Sequence, residues 1–206
     1  MTRYADCATL FLRGREVARH GVEPIRRAAI VKATIQEVAR AGSLEVTVAQ
    51  IAGSAGVSSA LAHHYFGSKE AIFVAAMRHV LTVFGAEVRG ALATADTPRE
   101  RVEAIVRASF SAGSFRRESV AAWLNFYVLA QTMPEARRLL SVYHRRLRSN
   151  LTHALRPLAG ARAGTVAEGI GALIDGVYLR AVIDRQGPRP AQAHAMVRRW
   201  LEDALG

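Results

Sequence analysis

Apolar residues along the chain recur with a helical period and show no sustained two-residue alternation, which predicts an all-α protein. Ile25, Ala28, Ala29, Ile35, Val38 and Ala39 lie on one face of a segment that opens at Pro24, a residue suited to a first turn, and stops at Gly42. Thr47 can cap a short second helix through Ser54, with Ile51 and Ala52 facing inward. The Ala55-Gly56-Val57 turn then leads into a third helix from Ser58 to about Phe66. Ser68 caps a long fourth helix whose stripe Ile72, Phe73, Ala76, Met77, Val80, Leu81 and Phe84 runs toward Leu92. Beyond Thr97-Pro98 the pattern predicts five longer helices, at about 98–112, 119–131, 135–156, 163–185 and 190–205. Pro134, Pro157 with Gly160, and the Gly187-Pro188-Arg189-Pro190 run separate them. The expectation is about nine helices in three parts: a basic extension over 1–22, a small N-terminal helical unit over 23–84, and a helical C-terminal unit over 85–206.

The segment from Thr47 to Phe66 meets the physical requirements of a helix-turn-helix. Ala52 is small where two helices cross, Gly56 permits a sharp turn, and Ile51, Val57 and Ala62 fill the core between them. The open face of the third helix then presents Ser58, Ser59, Ala60 and His63. Short side chains there let the backbone sit deep in a major groove, where hydroxyl and imidazole groups meet base edges. Thr47, His64 and Tyr65 are placed to hydrogen-bond the DNA backbone, and Lys69 to face a phosphate.

Charge supports an anionic partner. The 206 residues carry 28 Lys and Arg against 17 Asp and Glu, a formal charge of +11, although a base-composition bias toward arginine produces the same excess. The lone Cys7 excludes an internal disulfide framework and a cysteine zinc site, which points to a reducing, cytoplasmic setting. No stretch approaches the roughly 18 consecutive apolar residues of a membrane span. Residues 1–22 hold a short apolar run, Ala8 to Leu12, followed by Arg13, Arg15 and Arg19. Disorder, a DNA-touching arm and a start assigned too early all account for them.

No nucleophile with its base, no metal-spaced His/Glu set and no glycine-rich phosphate loop stands in the sequence. His63 and His64, as helix neighbours, diverge. Neither an enzyme nor a cofactor or metal is expected.

The Thr-x-x-x-Ile-Ala at 47–52, the Ala-Gly-Val-Ser at 55–58 and the Tyr-Phe-x-x-Lys-Glu at 65–70 resemble the TetR family of transcriptional regulators. The resemblance implies a homodimer whose third helix reads operator DNA and whose two C-terminal helices form the interface. Candidates for that interface are Gly169, Ala172, Leu173, Gly176, Leu179, Val182, Ala195, Met196 and Trp200. Ala122-Trp-Leu-Asn-Phe-Tyr127, Arg145-Arg-Leu-Arg-Ser-Asn-Leu151, Ala172-Leu-Ile-Asp-Gly-Val-Tyr-Leu-Arg-Ala181 and the Pro24-Ile-Arg-Arg27 opening are similar to one branch, the choline-responsive BetI-type repressors of glycine betaine synthesis.

A choline-like effector needs aromatic faces for its cation. Trp123, Phe126 and Tyr127 on one helix, with Tyr178 and Asp175 on another, are the candidates; the alternative is that these aromatics are core or interface residues. Asp175 lies in an apolar segment and needs a partner: a ligand ammonium, Arg180 or a helix N-terminus. A regulator of efflux or lipid metabolism with another ligand is the competing expectation.

Overall fold

The computed structural model describes residues 6–187 and 189–206, with side chains from Gly21 onward. Nine α-helices and one short 3-10 turn make up the described residues: α1 (Asp6–Ala41), α2 (Val48–Ser54), α3 (Ser59–Phe66), α4 (Lys69–Leu92), α5 (Pro98–Ser109), α6 (Arg117–Thr132), α7 (Pro134–Ala159), α8 (Ala163–Ile183) and α9 (Pro190–Leu205), with the 3-10 turn at Gly160–Arg162.

Helix starts follow local chemistry. Thr47 and Thr97 each build a reciprocal capping box, with Gln50 and Glu100, and the Ser58 and Ser68 hydroxyls accept from the backbone N–H groups of Leu61 and Ala71. Each such cap stabilises its helix by about 1 kcal/mol. Gly56, at φ +67°, takes the left-handed conformation that reverses the chain between α2 and α3, and Val57 N–H returns to the Ala52 carbonyl at 3.0 Å.

Two expected boundaries are corrected. α1 begins at Asp6, so Pro24 lies inside the helix and not in its first turn, and the backbone of the basic extension is helical from Asp6 and continuous with α1. A scan for apolar periodicity finds little signal in a segment this polar. Pro157 likewise lies within α7, which carries on to Ala159 before Gly160 ends it at φ +54°.

The hydrophobic core is continuous. Ile30, Val38, Ile51, Ala52 and Ala62 of the N-terminal helices join Ile72, Phe73, Ala76 and Met77 of α4, and that cluster runs on into Ile105, Phe126, Leu151, Leu155, Ile170, Ile174 and Leu201. α1 packs on α2, α3 and α4 and also on α6, while α7 lies along α8 with α5 and α6 beside it. α4 therefore runs from the N-terminal helices to the C-terminal ones with one side in the core. By length and mean hydropathy alone α4 is also apolar enough to cross a membrane, but its buried residues Ile72, Phe73, Val74, Ala76, Met77 and Val88 belong to this core.

Candidate DNA-binding face and effector cavity

α3 is held from below and open above. Ala62 is fully buried against the small core, whereas Ser58, Ala60, His63 and His64 are exposed and Ser59 is half-buried. Three helix N-termini carry hydroxyl caps here, at Thr47, Ser58 and Ser68. Ser58 thus precedes the helix as its cap, and the Thr47 hydroxyl, placed for the DNA backbone from sequence, is engaged with Gln50: it accepts from Gln50 N at 3.1 Å and donates to Gln50 Oε1 at 3.0 Å. His63 Nδ1 stands 3.4 Å from the Gly67 carbonyl.

Tyr65 is half-buried, and the Arg27 guanidinium lies 5.3 Å from its ring centroid and 5.1 Å from that of Phe66. This cation–π contact fixes the C-terminal end of α3 against α1; the neighbouring His64 and Tyr65 rings of α3 are tilted to each other with centroids 5.6 Å apart. Lys69 Nζ sits 5.4 Å over the Phe73 ring, at the start of α4.

From the sequence Arg27 stands out only as the end of the Pro24–Arg27 opening, and a second support, Glu37, does not stand out. Glu37 is only 6% exposed, accepts a 2.5 Å hydrogen bond from Ser54 Oγ and pairs with Arg40, tying α1 to the end of α2. The Ser54 hydrogen bond, then that from Arg40, hold its carboxyl below the ordinary carboxylate value. Glu37 shares the buried face of α1 with Ile30, Ala33 and Thr34, whereas Ile25 and Ala28 of the expected stripe are exposed.

In the C-terminal unit, Trp123, Tyr143 and Tyr178 converge from α6, α7 and α8. Trp123 lies 4.8 Å from Tyr143 and 6.5 Å from Tyr178 between ring centroids, both edge-on. With Val80 and Phe84 of α4, Ser114 and Ser119, they line a cavity of only about 20 Å³. About 10–15 Å³ of such space holds one water, so the cavity has room for about one water molecule. Phe84 closes it from α4, 5.5 Å from Tyr143.

The residues expected from sequence divide. Trp123 and Tyr178 line the cavity. Tyr127 lies beside it, 5.7 Å from Trp123, with its hydroxyl 2.9 Å from His144 Nε2. Phe126 is buried in the core and, among the described residues, has no ring contact with the others. Asp175 faces His144, with Oδ2 3.6 Å from Nε2, and neither Arg180 nor a helix N-terminus is its partner; Oδ1 is buried without a hydrogen bond. Val80, Phe84, Tyr143 and His144 were missed, although Tyr143 continues the α7 stripe of Leu139, Leu140 and Leu147.

Burial holds all three phenols above their ordinary value. The Asp175 charge adds to it at Tyr127 and Tyr143, and the Glu87 charge, then Asp175, at Tyr178. The tyrosines are therefore neutral at pH 7: Tyr143 and Tyr178 line the cavity and Tyr127 flanks it, near the Asp175 carboxylate.

A helix-turn-helix whose third helix is open, joined by one long helix to a C-terminal helical unit, defines a DNA-binding regulator. Comparison with known proteins places it further. Residues 30–76 match the family described as bacterial regulatory proteins, tetR family, and residues 98–206 match BetI-type transcriptional repressor, C-terminal. The chain is 49% identical over 182 residues to the HTH-type transcriptional regulator BetI of Brucella anthropi, covering 88% of this chain and 94% of that one. It is 52% identical to BetI of Rhizobium meliloti over 161 residues, 78% of this chain and 79% of that one. Among solved structures, a transcriptional regulator from Pseudomonas aeruginosa superposes with a TM-score of 0.76 at 26% identity, covering 88% of this chain and 91% of that one. One from Saccharomonospora viridis, solved in complex with choline, gives 0.76 at 22% identity, covering 85% and 95%.

The chain belongs to the TetR family of transcriptional regulators, in its BetI-type branch. It is a DNA-binding repressor of the cytoplasm and not an enzyme.

Proposed function

We propose that this repressor binds its operator as a homodimer and is released by choline or a closely similar quaternary ammonium compound. The observation that carries the ligand reading is the ring set Trp123, Tyr143 and Tyr178, closed by Phe84 of α4. Each aromatic face toward a desolvated cation contributes about 0.5–2 kcal/mol. A regulator of the same fold from Saccharomonospora viridis, solved in complex with choline, supports this ligand class.

A quaternary ammonium head does not fit a 20 Å³ space, so binding requires the walls to part. Since Val80 and Phe84 sit on the helix whose first turns, Ile72 and Phe73, are in the core of the DNA-binding unit, opening the cavity moves α4 and with it the recognition helix. Effector and operator are then coupled with opposite sign. The unit over 23–84 reads DNA: Ser58, Ser59, Ala60 and His63 toward base edges, and Thr47, His64, Tyr65 and Lys69 toward the backbone. The unit over 85–206 senses and dimerises.

Leu179 and Ile183 of α8, 58% and 76% exposed, and Met196 of α9 form the apolar face for the second copy. Of the interface residues expected from sequence, Ala172 and Ala195 are exposed beside them, whereas Trp200 packs on Gly169 within the chain. Two recognition helices related by a twofold axis then meet half-sites about one DNA turn, roughly 34–36 Å, apart.

The test is operator binding by the purified protein to its own upstream DNA at fixed salt, with and without choline. Specific binding weakened by choline supports the reading; specific binding indifferent to choline removes the ligand and keeps the repressor.

A further inference from the structure

The loop between α5 and α6, Phe110 to Arg116, is fastened from three helices. Tyr178 of α8 donates its hydroxyl to the Ser109 and Ser114 carbonyls at 2.7 and 3.3 Å, and Ser119 of α6 donates to the Gly113 carbonyl at 3.0 Å. From α4, Glu87 accepts at Oε2 from Ser111 Oγ at 2.8 Å and from Ser114 Oγ at 2.6 Å. The seat is close: a Cβ on Gly113 would come within 2.6 Å of Glu87 Oε1.

Val80, Phe84 and Glu87 follow one another at i, i+4 and i+7, so they share a face of α4. The first two close the effector cavity from α4, and Ser114, one of the two hydroxyls bound to Glu87, lines the same cavity. The other side-chain polar link between α4 and the C-terminal helices among the described residues is the ion pair Arg78–Glu135. Both its partners are more than half exposed and it contributes little. The Glu87 bonds are charge-assisted and partly buried, which makes them the stronger fastening.

We propose that Glu87 is a positioning residue for the effector response: its carboxylate latches α4 to the α5–α6 loop, holds the cavity shut, and sets how much effector is needed to open it. The inference rests on the cavity being the effector site. Trp123, Tyr143 and Tyr178 are anchored on three mutually packed helices, whereas Val80 and Phe84 are half-buried on α4. Parting α4 from the loop opens the wall made of these half-buried side chains and leaves the three packed helices in place, and that motion must break both serine bonds to Glu87. Removing the latch shifts the equilibrium between closed and open states without touching the aromatic wall.

The experiment compares full-length wild type with Glu87→Ala and with Ser111→Ala, which keeps the glutamate and removes the one of its two donors that does not line the cavity. Amide hydrogen exchange of residues 110–116 is measured first, without DNA or effector, and both variants are expected to exchange there at least tenfold faster. Choline titrations of the operator complex are then expected to show half-release at about tenfold lower choline, with weaker operator binding in the absence of choline. A general folding defect lowers affinity for both ligands, so a gain in choline affinity identifies the latch. Unchanged exchange in the loop overturns the proposal, as does faster exchange with unchanged choline and operator affinities. If the wild-type complex ignores choline, the ligand assignment fails by itself, and the latch is judged on loop exchange and operator affinity alone.

Discussion

The Tyr178 hydroxyl donates to the Ser109 carbonyl at 2.7 Å, joining the middle of α8 to the end of α5 across 69 residues of sequence. Both groups are buried, so Tyr178→Phe leaves a buried carbonyl without this donor. It is expected to cost about 1–3 kcal/mol, read as a lower urea midpoint at unchanged slope. An unchanged midpoint would mean that water replaces the phenol.

Gly169 lies against the Trp200 indole so closely that a Cβ would approach its Cη2 to 2.2 Å. Gly169→Ala must push the ring aside and is expected to destabilise the protein by about 1–3 kcal/mol, the range for overpacking. In the Trp200→Leu background the same change has room. The two substitutions together should then depart from additivity by more than about 0.5 kcal/mol in urea unfolding.

Glu37 supplies a pH dependence. A carboxyl held below its unfolded value contributes stability that is present above that value, about 4.5, and is lost as pH falls through the lower folded one. Glu37→Gln is expected to be less stable than wild type at pH 6. The gap should narrow as the pH is taken below 4.5, where the wild-type carboxyl takes up its proton. A gap independent of pH would show that the Ser54 contact survives protonation.

Much of this architecture is legible in the sequence because it rests on short-range rules. The caps at Thr47, Ser58, Ser68 and Thr97 act within three residues, and Gly56 is needed by the turn it makes. Trp123 and Tyr178 could be chosen as facing rings from helical period alone. Contacts between distant helices could not: Asp175 meets His144, 31 residues away, while Arg180, five along, is not its partner. Tyr143 and Phe84 read as stripe residues until α4 and α7 are packed, and the near-closed volume of the cavity depends on both. The Glu87 bonds to Ser111 and Ser114 likewise need the tertiary fold.

The exposed Leu179 and Ile183 lead to a statement about assembly. An interface depleted of charge tolerates a buried carboxylate poorly. Leu179→Glu/Ile183→Glu is expected to yield a folded monomer by sedimentation with operator binding largely lost, because each half-site must then be bound separately. A dimer that survives both changes would place the interface elsewhere.

His63 and Lys69 separate two kinds of DNA contact. A base-reading side chain contributes discrimination of about 1–3 kcal/mol at its base pair, whereas a phosphate contact contributes equally to every sequence and releases counterions. His63→Ala is therefore expected to weaken specific operator binding and relax preference at one symmetric pair of positions, with the slope of log affinity against log salt unchanged. Lys69→Ala is expected to weaken specific and non-specific DNA alike and to make that slope shallower by about 0.9 for each phosphate released. The Lys69 ammonium already rests over Phe73 at the first turn of α4, so the loss should be the charge contact and not the local fold. Binding isotherms of both variants on operator and scrambled DNA at four salt concentrations decide it. A His63→Ala protein with full sequence preference would require another face of α3 to read the bases.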